Sequence, residues 1–427
     1  MRPTEAVVGG GEAAFVEANL RRNVGAIAGE MGFFGLALSL AATATVLPAF
    51  ARHLGASNLV IGLLPAIMTV GWGLPSVLSA HYAERRQRLL PLVMAVTIWE
   101  RLPYLPMALA AALLAEREPT LALVVTLGFF TLAAFSGGVF MPAWMGLIAK
   151  CIPSRARGRS FALGHIASGL TGVGGAALAG YFLRDYPFPL SYALCFFVAF
   201  LASMISFAFL TQVREYPSPS TKPPVPLLAY LRRLPAVLRG DRRFSAYLLA
   251  RALTLGGTMG NGFFAVYGLS RLGAGDEQVA VFTFFLMAAQ TVSTGVWGQL
   301  ADRRGHRLVL ILGALATGTA SVLALTATEV PRLYAVFALL GAANGALNVS
   351  HMNITLEFSP PADRPTYVGL GGTTMAPFAL LAPVVGGLLA DGPGFGAVFA
   401  TAATFALLSV ACLTLVVQDP RRRGSVP

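Results

Sequence analysis

Gly298-Gln299-Leu300-Ala301-Asp302-Arg303-Arg304-Gly305-His306-Arg307 is a short, strongly basic segment set between two long apolar runs, 278–300 and 307–327. Each flanking run is roughly 20 residues, the length a helix needs to cross the hydrocarbon core of a bilayer. The segment therefore reads as a tight charged turn joining two membrane-spanning helices. Outward from it, similar runs recur along the whole chain. The first half holds spans at about 25–50, 58–81, 89–114, 120–148, 160–183 and 189–212. The second half holds 245–270, 278–300, 307–327, 332–356, 367–390 and 396–417. These predict an all-α polytopic membrane protein of twelve transmembrane helices.

Composition agrees. Of 427 residues, 56% are hydrophobic and 12% charged, against about 25% charged in an ordinary soluble domain. A chain this apolar needs lipid to solvate its exterior. The three cysteines, Cys151, Cys195 and Cys412, have no metal-ligand spacing and imply neither a zinc site nor a disulfide framework. No metal or cofactor is expected.

The net charge of +12 is explained by its placement. With the N-terminus in the cytoplasm, the cytoplasmic segments carry 24 Lys and Arg and the opposite loops five: Arg52, Arg117, Arg184, Arg271 and Arg332. That asymmetry follows the positive-inside rule and places both termini in the cytoplasm. It accounts for the basic balance without a nucleic-acid partner. Glu5, Glu12 and Glu17, with no apolar stretch beside them, argue against a cleavable signal peptide.

Five divisions follow: a cytoplasmic tail over 1–24, with a short interfacial helix at Phe15–Arg22; a six-helix bundle over 25–212; a linker over 213–244; a second six-helix bundle over 245–417; and a tail over 418–427. The linker carries Pro217, Pro219, Pro223, Pro224 and Pro226, then a basic amphipathic piece, Leu227–Leu238, suited to the membrane surface. The halves repeat one another. Arg52-His53-Leu54-Gly55-Ala56 recurs as Ser270-Arg271-Leu272-Gly273-Ala274, and Ala80…Glu84-Arg85 as Gly298…Asp302-Arg303. Matches in the same order indicate an internal duplication.

The 298–307 turn resembles the G-x-x-x-D-R-x-G-R-R signature of the major facilitator superfamily (MFS), with His306 at a position usually basic. A weaker copy, with Ala80, Glu84, Arg85, Gln87 and Arg88, follows span two. The resemblance covers nearly the whole chain and implies two pseudo-symmetric six-helix bundles. It further implies that Gly298, Asp302, Arg303, Gly305 and Arg307 latch one face shut, Asp302 against span eleven and Glu84, with Arg85 and Arg88, against span five. An anion suits a helix N-terminus. The alternative reading is that these are only topogenic charges.

Charged side chains inside the membrane cost roughly 2.5–3.5 kcal/mol each on insertion scales. Glu30, Glu100, Arg101 and Arg251 therefore need partners or a wet cavity. Adjacent residues project about 100° apart on a helix, so Glu100 and Arg101 are expected to satisfy one another poorly; Arg101 with Glu30 is the natural link. Glu30, Glu100, Arg101 and His351 are the proton-coupling candidates, with a purely structural ion pair as the alternative for Glu100–Arg101. Arg251, Thr254, Thr258 and Asn261 share one face of span seven, Asn344, Asn348 and His351 one face of span ten, and span eight adds Gln290, Thr294 and Trp297. The resemblance puts spans one, four, seven and ten around a central cavity, so these stripes are substrate-binding candidates; interhelical hydrogen bonding is the alternative. Drug–proton antiporters of the superfamily carry G-P-x-x-G-G in span five. Here span five lacks the proline, and the nearest copy is Ala382-Pro383-Val384-Val385-Gly386-Gly387 in span eleven.

No metalloprotease helix, nucleophile elbow or phosphate-binding loop is present, so neither an enzyme nor an ATP-driven pump is indicated. The expected function is alternating-access transport of a small solute in the cell membrane, as proton-coupled export of a partly apolar compound by a monomer. Uptake of a sugar or other metabolite, lipid flipping, and a non-transporting sensor on the same scaffold are the alternatives.

Overall fold

The computed structural model describes residues 3–83, 86–217, 239–359 and 364–418. Among these the regular structure is helical, without strands. Glu84 and Arg85, linker residues 218–238 with the proposed surface helix, and the tail from 419 lie outside the described residues.

In the first half the helices are α1 (Pro3–Leu40), α2 (Val46–His53), α3 (Asn58–Ala83), α4 (Leu90–Arg101), α5 (Tyr104–Leu114), α6 (Pro119–Cys151), α7 (Ser154–Asp185) and α8 (Leu190–Leu210). The second half holds α9 (Arg242–Gly257), α10 (Phe263–Arg271), α11 (Asp276–Arg304), α12 (His306–Leu325), α13 (Val330–Phe358), α14 (Arg364–Asp391) and α15 (Phe395–Leu415). Among the described residues, ten helices are long and apolar enough to span a membrane. Spans three and seven are each divided into two shorter helices, α4/α5 and α9/α10, and with them the architecture is consistent with twelve crossings.

Three expectations of continuity fail, two of them for local reasons. Span three breaks where Pro103 interrupts it; proline lacks the N–H that would continue the ladder. Span seven breaks through a 3₁₀ turn at Thr258–Gly260 in a glycine-rich stretch. Span one breaks at 41–45 before α2. Adding the repeat spacing, Gly55 to Gly273, to 41–45 gives 259–263, so the breaks in spans one and seven occupy corresponding positions. The N-terminus differs too: α1 runs unbroken from Pro3 rather than forming a separate interfacial helix at Phe15–Arg22.

The duplication is visible in the backbone. Gly55 (φ 79°) and Gly273 (φ 69°) both adopt left-handed conformations in the repeated turn, which glycine enters without a Cβ penalty. Gly305, in the motif turn, ends α11 and begins α12 at φ 89°.

Call the end with the 298–307 turn the motif end and the opposite one the far end. At the far end one continuous apolar core joins both halves, with Phe50, Phe196 and Ile61 packed into the same cluster as Phe263, Phe282 and Phe399. At the motif end, among the described residues, the cores are separate. One contains Ile27, Val93, Phe140 and Trp144 of the first half; another contains Phe244, Tyr247, Phe358 and Met375 of the second. Between halves, α3 packs on α14 and α7 on α11. Apolar side chains such as Leu113 (62% exposed) and Val124 (60%) stand on the outer surface, a lipid-facing pattern.

Candidate functional site

The first-half site is a buried ionic cluster drawn from spans one, three and six. Arg101, fully buried at 0% exposure, ends α4. Its Nη2 donates to Glu30 Oε1 at 2.9 Å and to the Ser206 hydroxyl at 3.1 Å. Its Nη1 donates to Glu100 Oε2 at 3.2 Å and to the Thr97 carbonyl at 3.3 Å. The Ser206 hydroxyl donates onward to the Glu30 carbonyl at 3.0 Å. The guanidinium also lies over the rings of Phe34 and Phe140, 5.1 and 5.7 Å from their centroids. The expected Arg101–Glu30 pair is present. Glu100 and Arg101, expected to satisfy one another poorly, do meet: the long Arg101 side chain folds back over the last turn of α4 and reaches one oxygen of its neighbour, leaving Glu100 Oε1 unpartnered.

The cluster is not saturated. Glu30 Oε2, Glu100 Oε1 and Arg101 Nε are buried without hydrogen-bond partners. The Trp144 indole N–H neighbours Glu30 but is itself unpartnered. Formally, two carboxylates face one guanidinium. Gly137 of α6 makes room for this arrangement: a Cβ there would stand 2.6 Å from Glu100 Oε1 and 2.7 Å from Trp72 Nε1.

The second-half stripe is sorted by its partners. Arg251 Nη1 donates to the Gly371 carbonyl of α14 at 3.1 Å. His351 Nδ1 lies 2.7 Å from the Tyr247 hydroxyl, which also donates to the His351 carbonyl at 3.2 Å. Thr254 turns toward span twelve, its hydroxyl 2.7 Å from that of Ser409. Thr258 donates to its own helix at Leu255. Asn261 sits at the break in span seven with a buried Oδ1 that has no partner. Gln290 and Asn344 are half-buried and Asn348 exposed; Trp297 donates to the Ala342 carbonyl at 2.8 Å, tying span eight to span ten.

At the motif end Asp302, Arg303 and Arg304 are exposed and Gly298 is half-buried. Arg307 donates to the Leu413 and Thr414 carbonyls at 2.7 and 2.6 Å, closing the C-terminal turn of α15 within its own half. His306 Nδ1 lies 3.2 Å from the Ser350 hydroxyl. The start of span eleven, expected against Asp302, adjoins residues 360–363, which lie outside the described residues, as do Glu84 and Arg85. Arg88 is exposed. At the far end, polar groups join the halves: Thr45 to Thr283 at 2.6 Å, His53 Nε2 to Asp276 Oδ1 at 2.8 Å, and Asp391 to the start of α3.

Sequence reading missed Tyr247, Ser206, Thr97, Trp72 and Asp391. Tyr247 carried a signal, lying four residues before Arg251 on the same helical face. Ser206 carried none, being one of several hydroxyls in an apolar run.

A helical membrane protein with twinned halves, buried charges and a seam closed at one end is built as a transporter rather than an enzyme. The family model for the Major Facilitator Superfamily matches residues 30–293 and 248–427; the chain belongs to that superfamily. Among solved structures it is similar to the nucleoside transporter NupG (TM-score 0.71, 13% identity, covering 93% of this chain and 100% of that one). It is also similar to a D-xylose–proton symporter (TM-score 0.65, 15% identity, covering 93% and 97%). These likenesses show the fold. Among curated proteins it is 34% identical over 116 residues to the multidrug resistance protein MdtG of Yersinia enterocolitica, 27% of each chain. To MdtG of Escherichia coli it is 33% identical over 144 residues, 34% of each chain. The matched region thus spans about a third or less of these relatives' length.

Proposed function

We propose that the protein exports a small, partly apolar compound across the cell membrane in exchange for protons, by alternating access, as a monomer with both termini cytoplasmic. The two bundles of residues 25–212 and 245–417 rock about a midplane site, and the present conformation, closed at the far end, is the one open to the cytoplasm. Substrate binds between the stripes of Arg251, Asn261, Gln290, Asn344, Asn348 and His351, with Thr254 and Thr258 supporting span seven. The partial similarity to multidrug resistance proteins supports export.

The observation that carries proton coupling is the Glu30–Arg101–Glu100 cluster. Its formal charge of one excess carboxylate is held inside hydrocarbon, where an uncompensated charge is costly. One proton brings it to neutrality, and the unpartnered Glu30 Oε2 and Glu100 Oε1 are the atoms free to hold it. Opening and closing of the bundle that changes their access to water then exchanges that proton.

Proteoliposomes with an imposed pH gradient and a panel of small apolar amines, neutral drugs and sugars test this. The expected result is gradient-driven export of an apolar compound, lost in Glu30→Gln and Glu100→Gln while ligand-induced thermal shifts persist. Arg251→Ala and Asn348→Ala should instead lose the thermal shifts. Gradient-driven transport at the parent rate in both glutamine variants would refute the coupling site. Flux of a sugar in the opposite direction would make the protein an importer.

A further inference from the structure

The repeat exposes an asymmetry at the far end. Asn58 starts α3, and Asp276, at the same place in the repeat, starts α11. A helix N-terminus leaves backbone N–H groups unpaired and favours an anion. The α11 terminus carries its own, Asp276 and Glu277 in its first turn. The α3 terminus has no acidic residue in its first turn. It receives one from the other half. The Asn58 and Leu59 N–H groups donate to Asp391 Oδ1 and Oδ2 at 3.3 and 3.2 Å, and the Asn58 side-chain amide donates to Oδ1 at 2.8 Å.

We propose that Asp391 is the positioning residue that sets the balance between the far-closed and far-open conformations, by capping α3 across the seam. This rests on the alternating-access reading. The cap forms only when span eleven lies against span two, so its free energy belongs wholly to the closed state, and an interaction present in only one state shifts the equilibrium by its full worth. The backbone is built to bring the carboxylate there. A Cβ on Gly387 would stand 2.6 Å from Leu59 Cα, and one on Gly62 would strike the Pro383 carbonyl. The Pro383-to-Gly387 element of span eleven is therefore the surface that seats this contact. Asp185, which ends α7 as Asp391 ends α14, is the natural control: it pairs with adjacent Arg184 at 2.7 Å and does not cross the seam.

The test uses the full chain in lipid nanodiscs with nitroxide labels at Glu116→Cys and Glu329→Cys, exposed far-end positions on opposite halves; the native cysteines are buried. Interspin distances are measured by pulsed electron resonance. The parent should show chiefly the short distance. Asp391→Ala should raise the ratio of long to short populations by about five- to tenfold, in line with the loss of a helix cap. Asp391→Asn, which keeps an acceptor without the charge, should fall between, and Asp185→Ala should match the parent. A distribution unchanged from the parent in folded Asp391→Ala, or in Asp391→Asn should the alanine variant not fold, overturns the proposal. Equal shifts for Asp185→Ala and Asp391→Ala also overturn it, because they reduce the effect to loss of surface charge. A shift confined to Asp391 variants with no flux of any substrate would sustain the cap and defeat the transport reading instead.

Discussion

At the scale of single residues, the buried charges decide most. Arg101 pairs with two carboxylates and reaches four hydrogen-bond acceptors. Its removal strands Glu30 and Glu100 in an apolar core, the circumstance in which breaking a buried pair costs about 3–5 kcal/mol. Arg101→Leu should therefore lower stability by that order, read as a drop in the melting temperature of detergent-purified protein. The triple variant Glu30→Gln, Glu100→Gln, Arg101→Leu should be closer to the parent than Arg101→Leu alone, because no charge is left stranded. A triple variant less stable than the single would show that packing, not charge, governs the site. The Glu30–Arg101 link was legible in the sequence because so few intramembrane charges exist that each constrains the others. Tyr247 on His351, and the turn of Thr254 toward Ser409, were not: a helical face fixes a direction, while the partner depends on how neighbouring helices are rotated.

At the scale of elements, hydropathy read the length of each apolar run and could not read its continuity. Lipid asks only that a run be apolar, so spans one, three and seven looked like single helices. The breaks in spans three and seven were nonetheless written locally, in Pro103 and in the glycines from 256 to 262; the break in span one, at 41–45, carries no such residue. The glycine-rich faces have an equally local meaning where helices cross. On α6, a Cβ on Gly138 would run into the Gly71 carbonyl, a backbone atom of α3, whereas a Cβ on Gly128 would meet nothing within 4 Å. Gly138→Ala should force spans two and four apart and cost about 1–3 kcal/mol, as overpacking does. Gly128→Ala, on the same helix, should be neutral or stabilising by a fraction of a kcal/mol, since alanine is the better helix former. Thermal unfolding of the two variants side by side isolates the crossing from helix propensity; equal effects would remove the crossing as the cause.

At the scale of the whole molecule, twofold repetition supplies two arrangements of the same bundles, and the sequence carried the repetition while leaving the arrangement open. The pattern of apolar runs is identical whichever end is closed. The joined core and polar ties at the far end, set against the divided cores among the described residues of the motif end, distinguish them. A conformation of this kind makes a directional prediction about water. Asn348 is exposed on span ten, while Thr45 is fully buried in the far-end seam against Thr283. If the motif end is cytoplasmic, as proposed, inside-out vesicles present it to the bath, and a membrane-impermeant maleimide should modify Asn348→Cys and spare Thr45→Cys. In right-side-out vesicles it should spare both. Labelling requires a thiolate in water, so an Asn348 facing lipid would stay unmodified in either orientation, and that result would remove span ten from the passage. Adding Asp391→Ala extends the measurement. If the far end opens when its cap is lost, Thr45→Cys should gain reactivity from the right-side-out face while Asn348→Cys loses it from the inside-out face. Opposite changes at the two sites mark a single rocking motion of the bundles; a gain at Thr45 with no loss at Asn348 would mean local fraying of the seam.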